Sequence, residues 1–141
     1  MPIGPITITE DNGYITRLDF SAEGMDEPSP LIKKAFNQLD EYFAGQRQIF
    51  ELPLAPAGTA FQCRVWKILQ EIPFGRTICY KTLAELCGNA KAVRAVGGAN
   101  HRNPLPIFIP CHRVIGSNGK LVGYGGGLSI KTFLLKLEQD I

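Results

Sequence analysis

One stretch of the chain, residues 107–114, constrains the fold more than any other. An apolar run leads into Pro110, and a thiol, an imidazole and a guanidinium then follow without a gap. Proline fixes its own φ and biases the residue before it toward extended geometry. We therefore expect Cys111 at the end of a buried strand, on stiff backbone and beside positive charge, where a thiol pKa falls and the nucleophilic thiolate is populated. The alternative is a core cysteine that merely precedes a basic turn.

His112 follows Cys111 directly, and this order limits how the two side chains can cooperate. Successive side chains of an extended chain point to opposite sides, so a direct hydrogen bond between the two is not expected. As a base, His112 would have to act through one water molecule or across a sharp turn. A thiol hydrolase usually takes its histidine from a distant part of the sequence, and the second histidine here is His101. The order therefore disfavours a thiol hydrolase.

Length and composition fit a small globular protein. The chain has 141 residues, 45% of them hydrophobic, which suffices for one ordinary domain or two small ones that share an interface. No apolar run approaches the roughly 20 residues of a membrane span, and the N-terminus lacks a signal pattern, so we expect a protein without membrane contact in the cytoplasm, or in a nucleoid or nucleus reached from it. The four cysteines have no C-x-x-C spacing and only two histidines accompany them, so we expect neither a metal site nor a disulfide framework.

Charge is distributed unevenly along the chain. Residues 1–59 hold four Lys or Arg against nine Asp or Glu, a balance of −5, whereas residues 60–141 hold eleven against four, a balance of +7. A basic C-terminal part suggests a polyanion as its partner. Ordinary solvated charge is the alternative explanation.

Residues 1–57 predict a small α/β scaffold domain. Alternating residues between Ile3 and Glu10 indicate a strand, a strong turn sequence follows, and Tyr14–Phe20 is the returning strand. Ser29 can cap a helix with proline at its first position. A short edge strand is expected over Gln48–Leu54, although it contains a proline. No cluster of catalytic residue types occurs in this part.

Residues 58–141 predict a helical domain beyond a linker at Ala55–Gly58. Thr59 can cap a first helix, and two short helices, Tyr80–Cys87 and about Ala90–Asn100, are joined by a tight turn that contains glycine. Such a pair in a basic region suggests a helix-turn-helix. A last amphipathic helix begins at about Ser129.

The third of these helices has an unusual composition for a reader of DNA sequence. It offers Lys91, Arg94 and Asn100 among alanines and glycines, whereas a major-groove recognition helix needs several long polar side chains. Small residues let the helix backbone approach a surface closely, so we infer contact with the sugar-phosphate backbone or a minor groove. Tight packing inside the protein is the alternative.

Two polar residues are placed to support Cys111. Glu138 lies near the buried edge of the last helix, where a carboxylate needs a partner, and His112 is the natural one. Asn103 lies in a stiff loop and can brace the backbone near the thiol. The alternatives are a solvated carboxylate at a helix end and an ordinary turn residue. A glycine-rich loop, Gly123–Gly127, can cradle a flat ligand or merely be flexible.

The sequence Pro110-Cys111-His112-Arg113-Val114 resembles the active-site signature of the O6-alkylguanine-DNA alkyltransferases, the methylated-DNA–protein-cysteine methyltransferases. The resemblance extends from about Gly58 to Glu138 and covers several further motifs in the same order. They are Phe61-Gln62, Val65-Trp66, Ile78 to Ala84, Arg94 to Asn100, Asn103-Pro104 and Gly126-Gly127-Leu128. Residues 1–57 resemble a short version of the variable N-terminal domain of this family.

This resemblance implies an α/β (α+β) fold, with a small RNase H-like N-terminal domain and a winged helix-turn-helix-like DNA-binding and catalytic domain. It implies DNA repair by direct damage reversal on double-stranded DNA containing O6-alkylguanine, with O4-alkylthymine as a further candidate substrate. The base would be flipped through the minor groove, and Cys111 would keep the alkyl group, so each chain would act once. The implied protein is a monomer that needs no cofactor and no obligate protein partner.

The resemblance also implies roles for individual residues. Cys111 is the alkyl acceptor, His112 deprotonates it through a water, and Glu138 orients His112. Asn103 braces the site, and Tyr80 gives its phenol proton to the leaving guanine.

Other residues take roles toward DNA by the same resemblance. Arg94 fills the gap that the flipped base leaves. Further candidates for DNA contact are Gln62, Lys91, Asn100 and Arg102, and candidates for the base pocket are Pro106, Tyr124, Gly125, Gly126 and Gly127. Cys79 stands where members usually carry serine, and it should cap its helix poorly, at a cost of about 1 kcal/mol.

Two other functions compete with this one. A non-enzymatic relative would bind alkylated DNA and mark it for another pathway, but Cys111 argues against it because such proteins lack the acceptor thiol. A helix-turn-helix regulator is disfavoured by the few base-reading side chains between Ala90 and Asn100.

Overall fold

Ten short elements make up the part of the chain that our computed structural model describes, residues 2–21, 27–116 and 127–139. In chain order they are β1 (Thr7–Asp11), β2 (Tyr14–Asp19), α1 (Pro30–Phe43), α2 (Ala60–Leu69), β3 (Ile78–Cys79), α3 (Tyr80–Leu86), α4 (Val93–His101), a 3-10 helix (Cys111–Arg113), β4 (Val114–Ile115) and α5 (Leu128–Gln139). β1 pairs with β2 in antiparallel fashion, and β3 pairs with β4 in parallel.

The N-terminal hairpin forms where the sequence predicts it. Asn12 and Gly13 both have positive φ, 51° and 81°, which is the backbone of the two-residue turns that suit the twist of paired strands. The register slips once, between Thr9 and Glu10. The slip leaves Thr16 of β2 as an extra residue, and Ile15 and Leu18, three positions apart, are therefore both buried against the core.

Helix α1 covers the hairpin, and its start is the predicted one. The Ser29 hydroxyl accepts a hydrogen bond from the Ile32 amide at 3.2 Å, and Pro30 occupies the first turn. The predicted edge strand over Gln48–Leu54 is wrong, because only Leu54 pairs, in a single bridge with Ile15. Pro53 has no amide hydrogen to donate to a ladder.

The C-terminal helices begin with a capping box at α2. The Thr59 hydroxyl accepts from the Gln62 amide at 3.1 Å, and the Gln62 side chain accepts from the Thr59 amide at 2.9 Å. The Trp66 indole donates to the Ala99 carbonyl at 2.8 Å and fastens α2 to α4. Cys79 precedes α3 without a capping hydrogen bond from its side chain, as expected.

The segment before Cys111 differs from the buried strand that the sequence predicts. Residues 107–110 are not a strand, because Pro106 and Ile109 form a single bridge around a turn in which Ile107 has a φ of 75°. Cys111 then opens the 3-10 helix. Pro104, Pro106 and Pro110 lack amide hydrogens, so this stretch cannot maintain a ladder.

Both halves of the chain share one hydrophobic core. The Leu18 amide of β2 donates to the Pro104 carbonyl at 2.9 Å, and the rings of Phe50 and Phe108 pack edge to face with centroids 5.0 Å apart. The predicted fold class, a small N-terminal sheet part followed by a helical part, is confirmed. No helix within the described residues is long and apolar enough to cross a membrane.

Candidate active site

Cys111 is held by backbone contacts at the start of the 3-10 helix. Its side chain belongs to the buried core, with 4% of the residue exposed. Its amide donates to the Ile109 carbonyl at 2.7 Å, and its carbonyl accepts from the Asn100 side chain at 3.3 Å. The thiol therefore sits on backbone fixed from both sides.

Asn103 braces the turn that carries the chain to Cys111. Its side-chain Nδ2 donates to the Ile109 carbonyl at 2.8 Å, and its Oδ1 accepts from the Leu105 amide at 2.9 Å. These two bonds clamp the turn in which Ile107 adopts positive φ, a conformation that a β-branched residue rarely takes. Asn103 lies where the sequence predicts a bracing residue.

His112 and Glu138 meet in the interior as expected. His112 Nε2 lies 2.6 Å from Glu138 Oε2, and both side chains are buried. Arg113 Nε and Nη2 donate to Oε1 and Oε2 at 2.8 and 3.0 Å, and its Nη1 donates to the Ile72 carbonyl at 2.7 Å. The phenol of Tyr42 donates to Oε2 at 2.7 Å. The Glu138 carboxylate thus accepts hydrogen bonds from side chains of both α1 and the 3-10 helix.

The protonation states follow from these contacts. Burial alone would raise the pKa of Glu138, but hydrogen bonds from His112 and Arg113 outweigh it and lower that pKa to about 2. Burial lowers the pKa of His112, with the Glu138 contact opposing it. An ionised carboxylate only accepts, so His112 carries its proton on Nε2. Its Nδ1 is buried and has no hydrogen-bond partner within the described residues, so it is available to accept a proton.

The thiol itself differs from the sequence prediction of a lowered pKa. Burial raises the pKa of Cys111 to about 11, although a hydrogen bond from Asn103 and the charge of Lys131 act in the opposite direction. Lys131 is itself buried in α5, and its Nζ donates to the Val114 carbonyl at 2.7 Å. The charge beside the thiol lowers the pKa less than burial raises it, because so little water reaches the sulfur.

Tyr80 and Asn100 complete the surroundings of Cys111. Tyr80 is partly buried at the start of α3, and burial raises its pKa, while a hydrogen bond from Asn100 lowers it and the nearby Cys111 raises it. Asn100 is 2% exposed. The prediction that Asn100 contacts DNA does not fit this burial, since its side chain is used inside the protein by Tyr80 and the Cys111 carbonyl.

The other predicted DNA contacts lie mostly on the surface. Lys91, Arg94 and Arg102 are exposed on or beside α4, and α4 buries Val96 and Ala99 on its opposite face. Gln62 is partly buried, and its side-chain oxygen is already used by the capping box of α2. The alanines and glycines of α4 thus allow close packing inside the protein on one face. On the other face they leave an open surface around Arg94 that DNA can approach.

A cavity of about 490 Å³ leads to Cys111. It is lined by residues 17–21 at the end of β2, residues 101–104, Pro106 and Cys111. Of the predicted base-pocket residues, Pro106 is therefore in place, and Gly127 lies just before α5 with a φ of 95°. Tyr124, Gly125 and Gly126 lie outside the described residues. No group of three or more metal-binding side chains occurs within the ranges that the structure covers.

Two residues of the site escape sequence reasoning. Tyr42 follows Ala35 and Leu39 at helical spacing, so the pattern marks it only as core. Lys131 lies on the buried face of α5, seven residues before Glu138. A lysine is rarely buried in this way, so its position on the apolar face of a helix could have marked it as a site residue.

A helix-turn-helix with a basic surface, built around a buried cysteine and a His–Glu pair, defines a DNA-binding protein with a reactive thiol. The family model described as 6-O-methylguanine DNA methyltransferase, DNA binding domain, matches residues 60–140, and the model of its ribonuclease-like domain matches residues 1–56. The chain belongs to the 6-O-methylguanine DNA methyltransferase family.

Individual relatives are similar over nearly their whole length. The methylated-DNA–protein-cysteine methyltransferase of Methanosarcina barkeri is 50% identical over 99% of this chain and 93% of its own. The constitutive enzyme of that name from Bacillus subtilis is 47% identical, over 98% of this chain and 91% of its own. A crystal structure of Mycobacterium tuberculosis OGT in complex with DNA superposes with a TM-score of 0.91 at 44% identity, over 99% of this chain and 89% of that one. The predicted family is confirmed.

Proposed function

We propose that this protein repairs DNA by moving an alkyl group from O6 of guanine, in double-stranded DNA, onto its own Cys111. A bond forms between Sγ and the alkyl carbon as the bond between that carbon and O6 breaks. The thiol proton leaves the sulfur, and the leaving guanine takes up a proton. The products are S-alkylcysteine and unmodified guanine, and O4-alkylthymine is a further candidate substrate.

The observation that carries this proposal is the buried Cys111 at the inner end of a cavity, beside a neutral His112 whose Nδ1 has no partner in the described part of the chain. The family of the chain and the names of its relatives support the same reaction. A buried nucleophile suits a reaction in which water must not compete for the alkyl group.

The protonation states determine the order of events. At neutral pH the Cys111 thiol is protonated and His112 is neutral, because burial raises the pKa of the first and lowers that of the second. The proton therefore leaves the thiol during attack, passing through a water to Nδ1 of His112. The ionised Glu138 stabilises the imidazolium that results. Tyr80, next to Cys111, gives its phenol proton to the leaving guanine and recovers one from the imidazolium.

Access to the thiol requires the base to leave the helix stack. With 4% of Cys111 exposed, no atom of a stacked base pair can come within bonding distance of the sulfur. We propose that the exposed Arg94 enters the stack from the minor groove and fills the gap, while Lys91 and Arg102 bind phosphates. The few long side chains of α4 suit a protein that must scan all sequences.

The reaction ends with the first transfer. A thioether is a poor leaving group, and none of the groups named above can displace it. Each chain is therefore consumed, and the protein acts as a monomer without cofactor or obligate protein partner. We place it in the cytoplasm, with residues 1–57 as the scaffold domain and residues 58–141 as the DNA-binding and alkyl-acceptor domain.

The test follows a radiolabelled methyl group. Duplex DNA with labelled O6-methylguanine is mixed with the protein, and we expect the label on the peptide that contains Cys111, saturating at about one per chain. Cys111→Ala should abolish transfer, whereas Cys87→Ala, a matched control directly after α3, should leave it intact. Label retained on tightly bound DNA would indicate a damage-marking protein, and repeated turnover would contradict the proposal.

A further inference from the structure

A polar group of the N-terminal half reaches the carboxylate that holds His112. The phenol of Tyr42, in α1, donates to Glu138 Oε2 at 2.7 Å, across 96 positions of sequence. Tyr42 is fully buried, and its ring lies against Phe50 and Phe74 with centroids 5.3 and 6.1 Å away. The aromatic contacts fix the ring, so the hydroxyl has a defined position relative to the carboxylate.

Glu138 Oε2 is the atom through which Glu138 acts on His112. It accepts from His112 Nε2 at 2.6 Å, from Tyr42 at 2.7 Å and from Arg113 Nη2 at 3.0 Å. The other oxygen is held by Arg113 Nε at 2.8 Å, with the Gly75 amide at 3.5 Å. Tyr42 and His112 therefore donate hydrogen bonds to the same negatively charged oxygen atom, so each of these bonds weakens the other.

We infer that Tyr42 is a positioning residue for alkyl transfer, whose phenol holds Glu138 Oε2 and thereby sets the orientation and basicity of His112. This inference rests on the proposed function. It gives the N-terminal half a role beyond that of a scaffold, because the proton-accepting pair of the C-terminal half is complete only when α1 is docked against α5.

The sign of the effect on His112 follows from the shared oxygen. A phenol that donates to a carboxylate takes up part of its charge and weakens its hold on the imidazolium. Without the phenol, Glu138 attracts the proton on His112 more strongly, so the pKa of His112 rises. The remaining charged groups that face this pair, Arg113 and Lys131, are unchanged by the substitution. The pH at which transfer reaches half its maximal rate therefore moves upward.

The experiment compares Tyr42→Phe with the wild-type protein in single-turnover transfer from O6-methylguanine duplex at saturating DNA. The substitution keeps the ring and removes one hydroxyl. We expect the midpoint of the rate profile to rise by about 0.5–1 pH unit, which slows transfer by about three- to tenfold at pH values well below the midpoint and by less at neutral pH. NMR titration of His112 should show the same upward shift. Tyr14→Phe, which removes a phenol from a half-exposed position in β2, should change neither quantity.

The outcomes separate this inference from the proposed function. If the wild-type protein transfers no label, the proposed function fails. If the wild-type protein transfers label but Tyr42→Phe has an unchanged midpoint and an unchanged His112 titration, the inference is overturned, even where the rate falls uniformly. Should Tyr42→Phe not fold, 3-fluorotyrosine at position 42 serves instead. Its more acidic phenol donates more strongly, so the midpoint must move downward, and an unchanged midpoint overturns the inference.

Discussion

Arg113 binds both oxygens of Glu138, with Nε 2.8 Å from Oε1 and Nη2 3.0 Å from Oε2. Both side chains are buried, and the pair joins the 3-10 helix that carries Cys111 to the last helix, α5. A guanidinium keeps its charge at any pH at which proteins fold. Glu138 therefore remains ionised whether or not His112 is protonated, and it can stabilise the imidazolium throughout the reaction.

Replacing Glu138 by Gln should destabilise the protein strongly, because Arg113 would be left as a buried charge without its counter-ion. We expect the free energy of unfolding in urea to fall by about 3–5 kcal/mol at neutral pH. Alkyl transfer should fall as well, since His112 loses the group that stabilises its charged form. Glu85→Gln, at an exposed position of α3, should cost almost nothing. Equal stability of the two variants would contradict the assignment of Glu138 to a buried ion pair.

Glu138 should also make the protein sensitive to acid. Its pKa is about 2 in the folded protein, below its ordinary value of 4.5, because the hydrogen bonds from His112 and Arg113 outweigh the effect of burial. The unfolded chain thus binds this proton more readily, and the stabilisation is present in full above about pH 4.5 and lost as the pH falls toward about 2. Urea titrations across this range should show a decline in stability, and Glu138→Gln should lack that component.

Local signals account for the parts of this structure that the sequence predicts well. Ser29 and Thr59 cap their helices because a hydroxyl at that position satisfies a free amide within three residues. Asn12 and Gly13 fix the first hairpin by another local property, since their preference for positive φ depends on the two residues alone. The partnership of Glu138 with His112 could be predicted because a carboxylate on a buried helix edge requires a donor.

The rest depends on contacts between distant parts of the chain. Three prolines replace the expected strand before Cys111 with a clamped turn, and Asn103 holds that turn. Burial of the thiol then reverses the predicted direction of its pKa shift, and no count of neighbouring charges reveals how deeply a side chain is buried. Tyr42 reaches Glu138 only because α1 packs beside α5, which no local pattern specifies.

Cys111 should stay in its thiol form well above neutral pH. Burial raises its pKa to about 11, so the thiolate absorbance that wild-type protein shows in excess of Cys111→Ser should be absent up to about pH 9.5. The protein should nevertheless react with O6-methylguanine duplex at neutral pH, because the proton leaves during attack. A difference signal with a midpoint near neutral pH would show instead that the thiolate exists before DNA binds.

Lys131 should promote the reaction through its charge near the sulfur. Lys131→Met keeps much of the buried side chain but removes a cation that lowers the pKa of Cys111. Without this charge the thiol proton is harder to remove, so we expect transfer to slow severalfold, roughly up to tenfold. Lys136→Met, at an exposed position in the last turn of the same helix, is the matched control and should react at the wild-type rate. Equal rates for both variants would remove Lys131 from the site.

Substitutions of Arg94 and Lys91 should impair alkyl transfer in different ways, since Arg94 is proposed to replace a flipped base and Lys91 to bind phosphate. Arg94→Ala should slow transfer from duplex even at saturating DNA, because the extrahelical base is no longer stabilised. Lys91→Ala should weaken DNA binding and leave the transfer rate of the bound complex unchanged. The slope of the logarithm of the binding constant against the logarithm of the salt concentration should become less steep by about one. We expect the wild-type thiol to react also with free O6-benzylguanine, and because neither side chain borders the cavity at Cys111, both variants should do so at the wild-type rate. A loss of that DNA-independent reaction in Arg94→Ala would place Arg94 in the thiol site rather than in the DNA stack.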